Sequence, residues 1–150
     1  MLLSMNSKML ICIFAFLSIT NIHAQNNALY ELIRKSSTEI GKNQNLETEI
    51  EVYKLRCQFV LLKSKNTQLL EDISLNKNIC LLSMEEIFTF SVPIFLEVVN
   101  YKIRKRRASI KLTMIEKATN LTPKRTTEYR FTFSYDGDIW NLKNYRTGNP

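Results

Sequence analysis

The stretch Tyr129–Tyr145, which reads YRFTFSYDGDIWNLKNY, decides the fold of this chain. Its aromatic residues alternate with polar ones up to the dipeptide Asp136-Gly137, which is the pattern of a strand with one buried face. Asp-Gly is also the favoured centre of a two-residue hairpin turn. The stretch therefore predicts a β-hairpin that turns at this dipeptide.

A two-residue turn also fixes which side chains lie opposite each other in the hairpin. It would pair Phe133 with Trp140 and Phe131 with Leu142, so that one face collects the large side chains. Next to the turn, Tyr135 would pair with Asp138. Three aromatic residues on this face are therefore expected to pack in the core or to line a ligand pocket: Phe131, Phe133 and Trp140.

A second hairpin is predicted immediately upstream. Apolar residues alternate over Phe95–Ile103, through Val99 and Tyr101, and again over Ala108–Met114, with a charged turn at Arg104–Arg107 between them. Because proline cannot donate a ladder hydrogen bond, Pro93 predicts either an edge strand or a bend before the first of these strands.

The N-terminal half shows weaker patterns. Apolar residues recur at helical spacing over Asn27–Ile40, where Asn26 or Asn27 can cap the start and Gly41 ends the helix. Residues 49–63 fit a helix or a strand, and their cleaner alternation favours the strand. Two shorter elements follow: one or two helical turns with a loop in residues 66–78, and a strand at Ile79–Leu82.

From Phe95 onward the pattern resembles the nuclear-transport-factor-two-like and cystatin-like folds. The resemblance implies an α+β fold in which an N-terminal helix packs in the concavity of a curved antiparallel sheet that ends in two hairpins. The N-terminal half lacks the several substantial helices of the transport-factor pattern and fits the simpler cystatin-like plan. Both families include enzymes and binding modules, so the resemblance leaves function open. It is carried by Tyr129, Phe131, Phe133, Asp136, Gly137, Trp140, Leu142 and Tyr145.

The first residues of the chain have the pattern of an export signal. Lys8 precedes the apolar run Met9–Ile19, and a polar stretch then leads to the small residue Ala24. This run is too short for a membrane span, which needs about 20 apolar residues, but it suits a signal-peptide core of roughly 7–15. We therefore predict a signal peptide at residues 1–24, with an uncleaved N-terminal anchor as the alternative. Cleavage would leave one α+β domain, residues 25–150, secreted or periplasmic and without a transmembrane segment.

The mature domain would contain no histidine, because the single histidine of the chain, His23, falls within the predicted signal peptide. This argues against histidine-dependent triads and most zinc sites. Three glycines are too few for a phosphate-cradling loop, so no cofactor is expected. Carboxylate catalysis would have to use acids that show no diagnostic spacing: Glu71, Asp72, Glu85, Glu86, Glu97 and Glu128.

Two cysteines, Cys57 and Cys80, remain outside the apolar run that contains Cys12. In an oxidising compartment they could form a disulfide, which would contribute about 3 kcal/mol by restricting the unfolded chain. Two separately buried thiols are equally compatible with the sequence.

The densest charge cluster is Lys102–Arg107, with five cations in six residues. On a hairpin tip, its basic side chains could bind phosphate or carboxylate groups, or they could form a solvated turn that discourages sheet-edge pairing. No aromatic residue interrupts the cluster, which argues against nucleic acid. The candidate anion-binding residues are Lys102, Arg104, Lys105, Arg106 and Arg107.

The sequence thus predicts an exported, non-enzymatic binding or accessory domain. The chain has 21 basic and 14 acidic residues, and removing Lys8 with the signal peptide leaves 20 against 14, an excess that favours an anionic partner. Such a partner could be an anionic envelope component or another exported protein. The alternatives are a small pocket enzyme or ligand carrier on the transport-factor-like fold, and an immunity-type inhibitor of another exported protein.

Overall fold

The computed structural model describes residues 7–50, 55–70, 79–117 and 123–148. Two helices and eight strands follow one another along the described chain, with a short 3-10 helix between β3 and β4. They are α1 (Ser7–Gly41), β1 (Thr48–Ile50), β2 (Leu55–Cys57), β3 (Phe59–Leu62), the 3-10 helix (Gln68–Leu70), β4 (Ile79–Leu82), α2 (Met84–Thr89), β5 (Ile94–Ile103), β6 (Arg107–Lys117), β7 (Pro123–Tyr135) and β8 (Trp140–Gly148). Within these residues, no helix combines the length and the apolar character needed to cross a membrane.

The fold is α+β, with one long helix packed on a mostly antiparallel sheet. The six-stranded sheet has the order β4-β3-β5-β6-β7-β8, and β1 and β2 form a separate hairpin. Both predicted C-terminal hairpins are present, since β5 to β8 are successive antiparallel neighbours. The expectation of an antiparallel sheet is wrong at the other end, where β3 pairs in parallel with β4 and with β5. This arrangement requires crossover connections, and the connection that contains α2 carries the chain past β3.

Helix α1 packs on one face of the sheet through residues at helical spacing. Leu29, Leu32, Ile33 and Ile40 are buried in a core shared with β3 and β5 to β8. The helix ends at Gly41 as predicted, but it extends back to Ser7, the first described residue, instead of starting at an asparagine cap. Neither glycine nor proline occurs between these two ends, so nothing in the backbone chemistry interrupts the helix near Asn26.

The strand prediction for residues 49–63 is confirmed in part, because three short strands, β1, β2 and β3, lie in the described part of this range instead of one continuous strand. Residues 51–54 lie outside the described part. All four residues of β3 are buried, so the predicted alternation does not mark an exposed face. Phe59 and Leu61 belong to the α1 core, whereas Val60 and Leu62 join a second core on the opposite face with Ile87 of α2. Strands covered on both faces lose the alternating pattern.

Helix α2 and Pro93 together turn the chain into β5. Ser83 caps α2 through a reciprocal pair of hydrogen bonds with Glu86, at 3.2 Å and 2.7 Å. Pro93 then precedes the first residue of β5, which confirms a bend at this point. The alternative of an edge strand is wrong, since β5 lies between β3 and β6.

A β-bulge in β5 changes which of its side chains face α1. The register shifts between Val98 and Asn100. Before the bulge, Leu96 and Val98 face the α1 core, and after it Tyr101 and Ile103 do. Phe95 was predicted on the same face as Tyr101, but it is buried in the second core on the opposite face. The extra residue reverses the alternation, as bulges do.

The C-terminal hairpin turns through a longer loop than predicted. Tyr135 pairs with Trp140 and Phe133 with Leu142, so the register differs by two residues from that of a two-residue turn. The carboxylate of Asp136 accepts hydrogen bonds from the backbone N–H groups of Asp138 and Ile139, at 3.0 Å and 2.9 Å. This closes a four-residue loop, in which Gly137 supplies a φ of +113°.

The shift by two residues leaves the buried face unchanged, because strand side chains alternate with period two. Phe131, Phe133 and Trp140 are all buried in the α1 core. The Trp140 ring lies against Tyr135, with 5.0 Å between ring centroids.

The hydrogen bonds to the Asp136 carboxylate should make the stability of the folded protein depend on pH. Backbone hydrogen bonds from Ile139 and Asp138, together with one from the Asn141 side chain, lower the pKa of Asp136 to about 2. The unfolded chain has the ordinary, higher pKa, so this stabilisation is present above about pH 4 and is lost as the pH falls towards about 2. We expect Asp136→Ala to lower the melting temperature near neutral pH, with the difference narrowing over this acidic range in circular dichroism melts.

The matched control for this experiment is Asp138→Ala, since the Asp138 carboxylate has no hydrogen-bond or ion-pair partner within the described residues. Its melting temperature should follow that of the wild type at every pH. If the melting temperature of Asp136→Ala stayed below that of the wild type by the same amount down to about pH 2, the role given to this carboxylate would be contradicted.

Candidate anion-binding groove

The face of the sheet under α1 is filled. Leu32 of the helix and Leu112 and Phe131 of the sheet are essentially inaccessible to solvent. The enclosed space near Tyr30, Ile33 and Leu61 measures about 10 Å³, which is the volume of about one water molecule. This face therefore supplies packing, and the enclosed space here leaves no room for an organic ligand.

The opposite face of β5 to β8 is open and polar near the hairpin tips, whereas Phe95 and Ile115, farther from the tips, belong to the second core. Pairing aligns Lys102 with Ser109, Ser109 with Thr132, and Thr132 with Asn144, which forms one row across four strands. A second row places Arg107 beside Ser134 and Ser134 beside Asn141. These side chains point outward because their neighbours in each strand, such as Ala108 and Phe133, are buried on the α1 side.

A groove of about 560 Å³ lies on this outer face, near the tips of both hairpins. Of the described residues around it, four are cationic and none is acidic. We call it the basic groove, and its lining residues are Lys102, Arg104, Arg107, Ala108, Ser109, Thr132, Phe133, Ser134 and Lys143.

The groove contains three of the five residues predicted to bind anions: Lys102, Arg104 and Arg107. The other two, Lys105 and Arg106, are exposed at the hairpin tip but do not line it. The sequence interpretation missed the fourth cation, Lys143. This lysine comes from β8, at a register shift opposite Thr132 and Phe133, and no local motif links it to the cluster.

The groove cations have no ion-pair partner among the described residues. Glu128, farther along β7, pairs with Lys111 at 2.5 Å and with Arg130 at 3.0 Å. Its hydrogen bond with Lys111 is the main reason that the pKa of the Glu128 carboxyl is lowered. In the part of the chain that the structure describes, no acidic side chain pairs with Lys102, Arg104, Arg107 or Lys143.

Two other open hollows have mixed charge. One, of about 530 Å³, lies at the C-terminal end of α1 and contains Lys42 and Glu47. Another, of about 440 Å³, lies between α1 and the hairpin tips, and its lining includes Glu31, Asp138, Lys105 and Arg104, which also lines the basic groove. The basic groove differs from both in having charged residues of a single sign.

The candidate catalytic acids are dispersed. Glu71 and Asp72 lie outside the described residues. Glu85 and Glu86 belong to α2, where Glu86 caps the helix, and Glu128 is held in ion pairs. Within the described residues, no cluster of histidine, cysteine or acidic side chains could hold a metal ion.

Cys57 and Cys80 form a disulfide bond in this structure, with 5.6 Å between their Cα atoms. Both residues are buried in the second core. The bond joins the end of β2 to β4, the outermost strand of the six-stranded sheet on that side.

Comparison of this chain with protein-family models, curated proteins and solved structures gives no significant match.

Proposed function

We propose that this chain is an exported, non-enzymatic binding domain that recognises anionic groups through the basic groove. The observation that carries this proposal is the convergence of four cations, from three strands and one turn, around a concavity in which no described lining residue is acidic: Lys102, Arg104, Arg107 and Lys143.

The chemistry of the groove suits phosphate or carboxylate groups. Arginine forks such as those of Arg104 and Arg107 bind both groups with two parallel hydrogen bonds. The hydroxyl groups of Ser109 and Ser134 line the same groove and can donate further hydrogen bonds, whereas the Thr132 hydroxyl already donates to the Asn144 carbonyl at 3.3 Å. A concavity lined by one sign of charge also concentrates oppositely charged ligands.

Export is part of the proposal. Removal of residues 1–24 would leave in place the α1 residues whose burial the structure describes, from Leu29 to Ile40. N-terminal sequencing of the protein from its native source should then begin at Gln25. An intact Met1 on that protein would contradict the export step.

We also propose the cystatin-like plan as the finer description of the fold. One helix lies across the filled face of the sheet, and the chain ends in two successive hairpins, which supports this plan. The parallel pairs made by β3 depart from it.

The packed face under α1 supports surface binding over a pocket enzyme on the same fold. An enzyme that used a carboxyl base would need a deep site and a carboxyl group with a raised pKa. The pKa values of Glu128 and Asp136 are instead lowered, and the enclosed space beside Leu61 is about 10 Å³.

The test is removal of the four groove charges. We expect the quadruple glutamine variant to bind short-chain inorganic polyphosphate at least about tenfold more weakly, since exposed cations carry most of the affinity for polyanions. Affinities measured by isothermal titration calorimetry at several salt concentrations should also show a weaker salt dependence. The substitutions are Lys102→Gln, Arg104→Gln, Arg107→Gln and Lys143→Gln.

The matched control removes four exposed cations elsewhere, so that the net charge falls equally. Its affinity should stay within about twofold of the wild type, because screening confines the effect to charges within roughly 10 Å of the ligand. If both variants lost the same amount of affinity for polyphosphate, net charge and not the basic groove would be what attracts the anion. The control substitutions are Arg34→Gln, Lys42→Gln, Arg56→Gln and Lys65→Gln.

A further inference from the structure

The last strand of the sheet leaves one edge open. β8 is the terminal strand, and within the described residues no strand pairs with its outer side. All six residues from Lys143 to Gly148 are exposed. An uncovered edge of this length presents unpaired backbone groups that can accept another strand.

Among the hydrogen bonds described, those between β8 and α1 involve only the backbone of Trp140, the first residue of β8. The Trp140 N–H donates to the carboxylate of Glu31 at 3.3 Å, and the Lys35 ammonium donates to the Trp140 carbonyl. Glu31 and Lys35 pair with each other at 3.2 Å. These contacts block strand addition at Trp140 and leave the remainder of the edge accessible.

The two faces of this edge have different chemistry. On the groove face, Lys143 lines the basic groove and Arg146 lies opposite Arg130. On the α1 side, Leu142 packs against the core, and Tyr145 stacks on Phe131 while remaining 39 % exposed. The strand contains no acidic residue. A strand added here would therefore meet cations on one face and apolar surface on the other.

A second copy of this chain suits the edge poorly. Pairing two β8 strands would bring Lys143 and Arg146 of one copy close to the same cations of the other, and like charges across strands are destabilising. The whole chain also carries a net charge of +7, which opposes self-association.

We propose that the partner is an acidic, extended polypeptide segment that pairs with the open edge of β8. Its acidic side chains would face Lys143, Arg146 and the basic groove, and its alternate apolar side chains would lie beside Tyr145. Backbone hydrogen bonds would supply affinity, and the two faces would supply specificity. This inference rests on the proposed function, because it assigns a partner class to the same groove.

The experiment uses a peptide of about seven residues, matched to the open edge, in which glutamates alternate with valines. The matched control has the same sequence with N-methyl groups on alternate backbone nitrogens, which keeps the charge but prevents strand pairing. We expect the N-methylated peptide to bind at least about tenfold more weakly in fluorescence polarisation. Hydrogen exchange should show new protection of the β8 backbone, from Lys143 to Gly148, with the unmodified peptide alone.

Equal binding of the two peptides, no binding of either, or binding without protection of β8 would overturn the strand-pairing proposal. Its failure remains distinguishable from failure of the proposed function. Weaker polyphosphate binding by the quadruple groove variant would support the groove whatever the peptides do. A groove that proved unnecessary for polyphosphate would remove the basis of both proposals.

Discussion

Replacing Phe131 by alanine should lower the free energy of unfolding by about 4 kcal/mol, the loss expected for a large aromatic side chain deleted from a packed core. Phe131 is 1 % exposed and lies at the centre of an aromatic group on β7 and β8. Its ring centroid is 6.2 Å from that of Tyr129, 6.4 Å from Phe133 and 5.6 Å from Tyr145. Urea denaturation followed by circular dichroism measures the change.

Phe88→Ala is the size-matched control for this substitution. Phe88 is exposed on α2, and its one described partner is the Lys117 ammonium, 3.5 Å from the ring centroid. Losing this cation–π contact should cost about 1 kcal/mol or less. A similar loss for both variants would contradict the placement of Phe131 at the centre of the core.

Reducing the disulfide between Cys57 and Cys80 should lower the free energy of unfolding by about 3 kcal/mol, because the bond restricts the unfolded chain. The two residues are 23 positions apart, so the bond closes a substantial loop. Both lie in the second core, where reduced thiols would keep much of the same packing. Urea denaturation of the wild type with and without a reductant isolates the effect of the link.

The control is the double variant Cys57→Ala and Cys80→Ala. The free energy of unfolding of this variant should be the same with and without the reductant. It should be lower than that of the oxidised wild type, because alanine fills less of the core. A wild-type protein whose stability is also unchanged by the reductant would show that the link contributes nothing.

Much of the C-terminal half was predictable because half-buried antiparallel strands leave alternation in the sequence. Tyr129–Tyr135 shows this pattern, and its aromatics lie where the pattern placed them. The pattern failed at Phe95, because the bulge after Val98 inserts an extra residue that composition does not mark. In β3 the alternation failed because both faces of the strand are covered, so that all four residues are buried.

The turn and α2 were missed for different reasons. Asp136-Gly137 suits a two-residue turn, but hydrogen bonds from the backbone to the Asp136 carboxylate favour a longer loop. Ser83 and Glu86, by contrast, have the spacing of a capping box and could have identified the start of α2 from the sequence.

The basic groove was predictable only in part. The run that contains Lys102, Arg104 and Arg107 is dense enough to be noticed in the sequence. Lys143 joins it through pairing between distant parts of the chain, which local patterns do not reveal. The same pairing brings the hydroxyl groups of Ser109 and Thr132 into register.

The most direct test of the groove as the recognition site is a titration of ¹⁵N-labelled protein with short-chain inorganic polyphosphate, followed by backbone amide shifts. If the basic groove is the recognition site, the largest changes in amide chemical shift should occur on the outer face of the sheet, at Lys102, Ser109, Thr132 and Lys143. Largest shifts in the hollow at the end of α1, around Lys42 and Asn45, would contradict it.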